Sequence, residues 1–322
     1  MTTVQDSSHG SQTRSLTLAV IGDVHDAWEP EDATALKALG VDLALFVGDF
    51  GNESVEVVRA IASLDLPKAA IFGNHDAWYS ATDWGRKKCP YNRAQEDWVQ
   101  DQIDALGSVH VGYGKLDFPE WGLSVVGGRP FSWGGSTWKY TEFYQSRYGV
   151  TSFEDSTAKM MEAVQATTTN TILFIGHCGP KGLGDRPEDP CGKDWQPIGG
   201  DYGDPDLTEA IAKTKVLGKS VPFVGFGHMH HHLRHTKKVL RRAIHQEAET
   251  VYLNAARVPR IMEVGGDRHR NFSLVTLEAG QVSDIRLVWV NSAYEICAEE
   301  PLYMKADPSV KSASSETLIG LH

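Results

Sequence analysis

Five times between Leu16 and His230 a short apolar run stops at a glycine and gives way at once to aspartate, asparagine or histidine. The runs cover residues 16–21, 43–47, 69–72, 171–175 and 221–226. Apolar runs this short, bounded by glycine and polar residues, read as buried strands rather than helices. Open α/β folds gather ligands at the carboxyl ends of parallel strands, so polar groups far apart in sequence converge there. One such ending is a polar turn; five of them restrict the chain to a fold that brings strand ends together.

The segments between the runs support this. Residues 32–39 read as a short helix with Gly40 beyond its end, and residues 53–64 carry Val57, Val58, Ile61 and Leu64 at helical spacing. Strand, polar turn, helix, strand is the rhythm of a mostly parallel sheet. Further helices are expected at 94–106 and 154–166, with another strand at 123–126. The runs at 250–253, 272–277 and 285–290 lie closer together and suggest an antiparallel part. Residues 129–148 are rich in glycine and aromatics, and residues 178–206 in glycine, proline and aspartate. Both are candidate walls of a substrate cleft, although the aromatics could equally pack on one another. The expected organisation is a tail over 1–15, one domain over 16–305 and a tail over 306–322.

The residues at the strand ends are Asp23 and His25, Asp49, Asn74 with His75 and Asp76, His177, and His228 with His230. In Asp23-Val24-His25 and His228-Met229-His230, residues i and i+2 of an extended segment point the same way, so each pair can grip one site. A lone Asp-x-His is more often core or surface polarity. Imidazoles with carboxylates suit borderline divalent ions such as manganese, zinc or iron.

The order Gly22-Asp23-Val24-His25, Gly48-Asp49, Gly73-Asn74-His75-Asp76, Gly176-His177, Gly227-His228-Met229-His230 resembles the calcineurin-like metallophosphoesterase superfamily. The resemblance implies an α/β fold, an α/β/β/α sandwich with a dimetal site at the carboxyl ends of its strands. It implies that Asp23, His25 and His230 hold one ion, Asn74, His177 and His228 the other, and that Asp49 bridges. Two ions roughly 3.5–4 Å apart can bind phosphoryl oxygens and activate a bridging hydroxide as the attacking group. The ions expected are manganese, with iron or zinc as alternatives. His75 would stand beside them as general acid or oxyanion donor. Asp76 would either orient His75 or simply hold the turn. Asn254 falls where many members carry Asn-Pro-Gly, here altered to Asn254-Ala255-Ala256, and suggests a supporting role. Arg129 follows a strand end and would either clamp a phosphate or form a surface ion pair.

The protein Ser/Thr phosphatase branch carries Gly-Asp-x-Val-Asp-Arg-Gly and an arginine after its Gly-Asn-His-Glu. Gly48-Asp49-Phe50-Gly51-Asn52 and Asp76-Ala77-Trp78 depart from both. The expected function is hydrolysis of phosphate monoesters, on a small molecule or a phosphoprotein. The alternatives are a phosphodiesterase, for instance on cyclic nucleotides, and a non-catalytic binding scaffold. The filled His75 and ligand positions favour catalysis.

The net charge of −11 argues against nucleic acid or anionic membrane as partner, unless a local basic patch overrides it. The best such patch, residues 234–242, reads as a solvated face. No apolar run is long enough to span a bilayer, and the first fifteen residues show no apolar signal core. The scattered cysteines Cys89, Cys178, Cys191 and Cys297 fit a reducing compartment, so a cytoplasmic protein is expected. Oligomeric state is not legible.

Overall fold

The strand runs build the two sheets that the expected sandwich requires. The computed structural model describes residues 15–306, so the expected tails fall almost wholly outside it. In chain order the elements are β1 (Leu16–Ile21), α1 (Pro30–Ala38), β2 (Leu43–Phe46), α2 (Val55–Ala62), β3 (Lys68–Ala70), α3 (Trp78–Ala81), α4 (Asp83–Arg86) and α5 (Trp98–Leu106). There follow β4 (Lys115–Phe118), β5 (Leu123–Gly127), α6 (Thr141–Tyr148), α7 (Phe153–Gln165), β6 (Thr171–Ile175), α8 (Pro205–Val216) and β7 (Ser220–Phe226). The chain continues through β8 (Ile244–Glu247), β9 (Thr250–Asn254), β10 (Ile261–Val264), β11 (Asp267–Glu278), β12 (Gln281–Val290) and β13 (Ile296–Met304).

One sheet runs β13-β12-β11-β1-β2-β3, with β10 paired to β11, and the other β4-β5-β6-β7-β9-β8. β1, β2 and β3 are mutually parallel, as are β5, β6, β7 and β9 in the second sheet. Of the runs expected to be antiparallel, 272–277 and 285–290 are so, in β11 and β12, which β13 extends, but 250–253 lies in β9 and runs parallel to β7; β11 also closes onto β1.

Side chains alternate across a strand, and here both faces of the central strands are apolar. Leu18, Val20, Leu43 and Leu45 meet Leu173, Ile175, Phe223 and Leu253 between the sheets. Ala19, Ile21, Ala44 and Phe46 turn outward onto Leu36 of α1, Val58 and Ile61 of α2 and Val99 of α5. Ile172, Phe174, Val224 and Phe226 turn outward onto Met160 and Val164 of α7 and Leu207 and Ile211 of α8. Helix, sheet, sheet and helix thus stack around three apolar layers, the α/β/β/α sandwich expected.

Local chemistry sets the helix ends. α5 starts at Trp98 rather than near residue 94 because the Asp97 side chain accepts a hydrogen bond from the Gln100 N–H, capping the helix there. Ser152 caps α7 in the same way, accepting from the Asp155 N–H. The loop starting at Cys178 ends where Pro205 opens α8, a residue suited to a first helical position. No helix among the described residues is long and apolar enough to cross a membrane.

Candidate metal centre

The loops leaving β1, β2, β3, β6 and β7 meet at one edge of the sandwich, three from the first sheet and two from the second. Backbone bonds knit them: the Asp23 N–H donates to the Gly48 carbonyl at 3.1 Å, the His25 N–H to the Asp49 carbonyl at 2.8 Å, and the Gly227 N–H to the His177 carbonyl at 2.8 Å. Close approach requires glycine at two places. A Cβ on Gly48, whose φ is +94°, would lie 2.8 Å from His177 Nδ1, and one on Gly73 would lie 2.3 Å from Asp49 Oδ1. Asp23, His25, Asp49 and His228 themselves adopt left-handed backbone, with φ of 50°, 45°, 54° and 69°.

Two groups of donors result. In the first, His230 Nε2 lies 3.3 Å from Asp23 Oδ1 and 3.2 Å from His25 Nε2. In the second, His177 Nε2 lies 3.2 Å from Asp49 Oδ1, 2.9 Å from Asn74 Oδ1 and 3.2 Å from His228 Nδ1. Asp49 faces both, since its other oxygen, Oδ2, is 4.0 Å from His25 Nε2. The ligand atoms of Asp23, His25 and His230, and those of Asp49, His177 and His228, lie within 4.8 Å of one another. All seven residues expected as ligands therefore converge. Two carboxylates at 1% and 2% exposure, ringed by imidazole nitrogens that face each other, form a donor set that fits a pair of divalent cations.

The electrostatics agree. Burial alone would lower the His177 pKa, but the adjoining Asp49 carboxylate overrides it and raises it to about 9. Burial opposes charge on Asp49 too, yet His177, His75 and His25 hold its carboxyl below the usual range. His228, beside them, is driven down to about 3 by burial and by the His177 charge. The buried carboxylates thus favour positive charge at this centre, the charge that bound cations would supply.

Outer partners fix these side chains. The His177 Nδ1 atom is 2.8 Å from the Val47 carbonyl, a bond that places the proton there and leaves Nε2 to face the centre. The His228 N–H donates to both Asp23 oxygens, at 3.2 and 3.0 Å. Asn254 Nδ2 donates to the carbonyl of Met229, between His228 and His230, at 2.8 Å, and to that of Pro190 at 3.0 Å. Asn254 thus braces the loop that carries two donors.

Of the two roles open to Asp76, its bonds fit holding the turn and not orienting His75. It is fully buried, and its carboxylate accepts from the backbone N–H groups of Asp49, Phe50, Gly51 and Gly73 at 2.7–3.4 Å. It staples the β2 loop to the β3 loop. The partner of His75 is Asn52, whose Oδ1 lies 2.7 Å from His75 Nδ1. His75 stands beside the first donor group, its ring centroid 5.1 Å from that of His25.

The reading of Arg129 is corrected. It neither reaches the donors nor lies at the surface. At 4% exposure it donates to Asp206 at 2.9 Å and to Asp204 at 2.6 Å, tying the exit of β5 to the start of α8. A guanidinium committed to two buried carboxylates has no fork left for phosphate.

A different arginine matters more, and it lies inside the stretch read as a solvated face. Arg241 is buried and donates to the carbonyls of Pro187, Asp189 and Gly192 at 2.6–2.8 Å and to that of His230 at 3.0 Å. It also lies 3.3 Å from Asp194. Arg241 therefore pins the long loop after β6 to the donor His230.

That loop and the segment after β5 wall a cavity of about 480 Å³ that opens on Asp49, Asn74, His75, His228 and His230. Of the aromatic stretch after β5, Trp133 lines the cavity, while Phe131, Phe143 and Tyr144 join the core.

A family model described as calcineurin-like phosphoesterase matches residues 16–232. Among solved structures the chain is similar to a protein of Thermus thermophilus, with 10% identity, coverage of 82% of this chain and 99% of that one, and a TM-score of 0.46. It is also similar to a dimetal phosphatase from Danio rerio, with 12% identity, 90% and 99% coverage and a TM-score of 0.43. A phosphopantetheinyl hydrolase from Mycobacterium tuberculosis shows 15% identity, 75% and 89% coverage and a TM-score of 0.41. No curated protein matches the sequence.

Proposed function

This chain belongs to the calcineurin-like phosphoesterase family, and from that premise we propose that it hydrolyses phosphate monoesters of small molecules with two divalent ions, manganese foremost. The observation that carries the reading is Asp49, which turns one carboxylate oxygen toward His177 and the other toward His25. Asp23, His25 and His230 would hold one ion, and Asn74, His177 and His228 the other, with Asp49 shared. When bound, the ions supply Lewis acidity toward the phosphoryl oxygens and lower the pKa of water.

The chain's own residues do the rest. His75, steadied by Asn52, faces the edge of the donor groups, where it can move a proton to the leaving oxygen or donate to a phosphoryl oxygen. The Val47 carbonyl and Asp76 hold the donor loops in place before substrate arrives. The four cysteines are free thiols, which supports a cytoplasmic setting.

The test compares p-nitrophenyl phosphate with bis-p-nitrophenyl phosphate across manganese, magnesium, zinc and iron. The monoester should turn over faster, with manganese the best ion. Preference for the diester would replace the monoesterase reading with a phosphodiesterase, and no turnover of either would remove the catalytic one.

A further inference from the structure

The cavity over the donors is faced with aromatic rings that the hydrolytic reading leaves unused. Trp78 opens the helical turn after His75, and its ring lies flat on the His75 imidazole, centroids 4.9 Å apart and planes 11° apart. Trp133 stacks on Trp78 in turn, at 5.3 Å and 28°. From the long loop before α8 come Trp195 and Tyr202, packed edge to face at 4.7 Å. All four line the same cavity.

Rings that serve only to fill a fold are driven fully inside, as Phe131 and Tyr144 are, each at 1% exposure. Trp78, Trp133, Trp195 and Tyr202 are instead half-buried, with ring surface left to the cavity. Large aromatic surface gains most from being covered by another flat, apolar face. Arg234 lines the cavity as well, with its guanidinium 5.4 Å from the Trp195 ring, so a cation stands at this wall although the chain carries a net charge of −11. A cavity of about 480 Å³ is of the size that encloses a small organic ligand whole. The stack also begins at His75, the residue read as facing the leaving oxygen, and continues through Trp78 to Trp133.

We propose that Trp78, Trp133, Trp195 and Tyr202 form a stacking subsite for the leaving group, and that the substrate is a phosphate monoester whose alcohol carries a flat ring, a nucleobase or an aryl group. The inference rests on the phosphomonoesterase reading of the same site.

Two matched pairs of esters isolate the ring. Adenosine 5′-monophosphate and ribose 5-phosphate lose the same primary alcohol and differ by the nucleobase. 2-Phenylethyl phosphate and 2-cyclohexylethyl phosphate lose primary alcohols of similar acidity and differ chiefly by the flatness of the ring. In at least one pair kcat/KM should favour the flat ring by about tenfold, the scale of one base stacked on an aromatic side chain. That ratio should shrink in Trp133→Leu and Trp195→Leu and return in Trp195→Phe, with folding checked by circular dichroism. Equal rates within both pairs, or a ratio untouched by either leucine variant, would overturn the subsite. If no ester is hydrolysed with any ion, the phosphatase reading has failed, and binding decides the subsite separately. Quenching of tryptophan fluorescence by adenosine 5′-monophosphate but not by ribose 5-phosphate would keep it, and equal quenching would end it.

Discussion

Asp23, His25, Asp49 and His228 each hold a left-handed backbone, a conformation that costs a residue other than glycine about 1–3 kcal/mol. Strain of this kind persists only where surrounding contacts impose it, and here four such residues point donors into one space. Asp49 is the most consequential of them. Replacing it with Ala should remove both ions and the activity together, which metal analysis and phosphatase assay would read in parallel; retained stoichiometric metal would refute the shared-ligand role. His75→Ala should keep the metal and reduce kcat by about 10²- to 10⁴-fold, the usual scale of general acid–base catalysis. Asn52→Leu should keep the metal and reduce kcat more mildly, with KM little changed, because it frees the ring of His75 without deleting it. The donors were legible in the sequence because Asp23, Asp49, Asn74, His177 and His228 each follow a glycine at the end of an apolar run, with His25 and His230 two residues further on. The partners were not. Asp76 adjoins His75 in sequence yet turns its carboxylate to four backbone N–H groups, whereas Asn52 reaches His75 from another loop. Adjacency along a chain says nothing about where a side chain points once the chain turns.

Elements are more legible in the sequence than their ends. α5 begins at Trp98 because Asp97 caps it, and α8 is hidden behind the loop that precedes it. β4, β8, β10 and β13 escape a sequence reading because edge strands mix polar and apolar residues without clear alternation. The stretch 234–242 shows the limit of composition most plainly. Its basic residues look alike in sequence, but Arg241 is buried among carbonyls of the long loop while Arg242 extends outward to Asp189. Arg241→Met should strand Asp194 as an uncompensated buried charge and cost about 3–5 kcal/mol, the scale of breaking a buried ion pair. A urea titration would measure it; a midpoint within error of wild type would show that the loop is held by other means.

At the scale of the whole molecule, the two sheets of the expected sandwich share out the donors, with Asp23, His25, Asp49 and Asn74 on one and His177, His228 and His230 on the other. Periodicity reports which residues are buried but not which strands pair, so this division could not be read from residues alone. It gives the ions a mechanical role, since each would be gripped from both sheets. Chelation should therefore lower the unfolding temperature of the whole domain, and restoring manganese at 100 times its dissociation constant should return about 2.7 kcal/mol of stability for each ion bound. Thermal unfolding with and without chelator would measure this, and coincident curves would contradict it.

The pairing of β1 with β11 sets the order in which this enzyme can come into being. Leu18 sits against Val275, so the strand that carries the first donors into place gains that neighbour only after every donor has been synthesised. By the time His230 leaves the ribosome every donor has been synthesised, yet the sheet behind Asp23 still lacks an edge. A chain that stopped between His230 and Val275 would carry every donor yet lack the strand that flanks β1, the strand leading to Asp23.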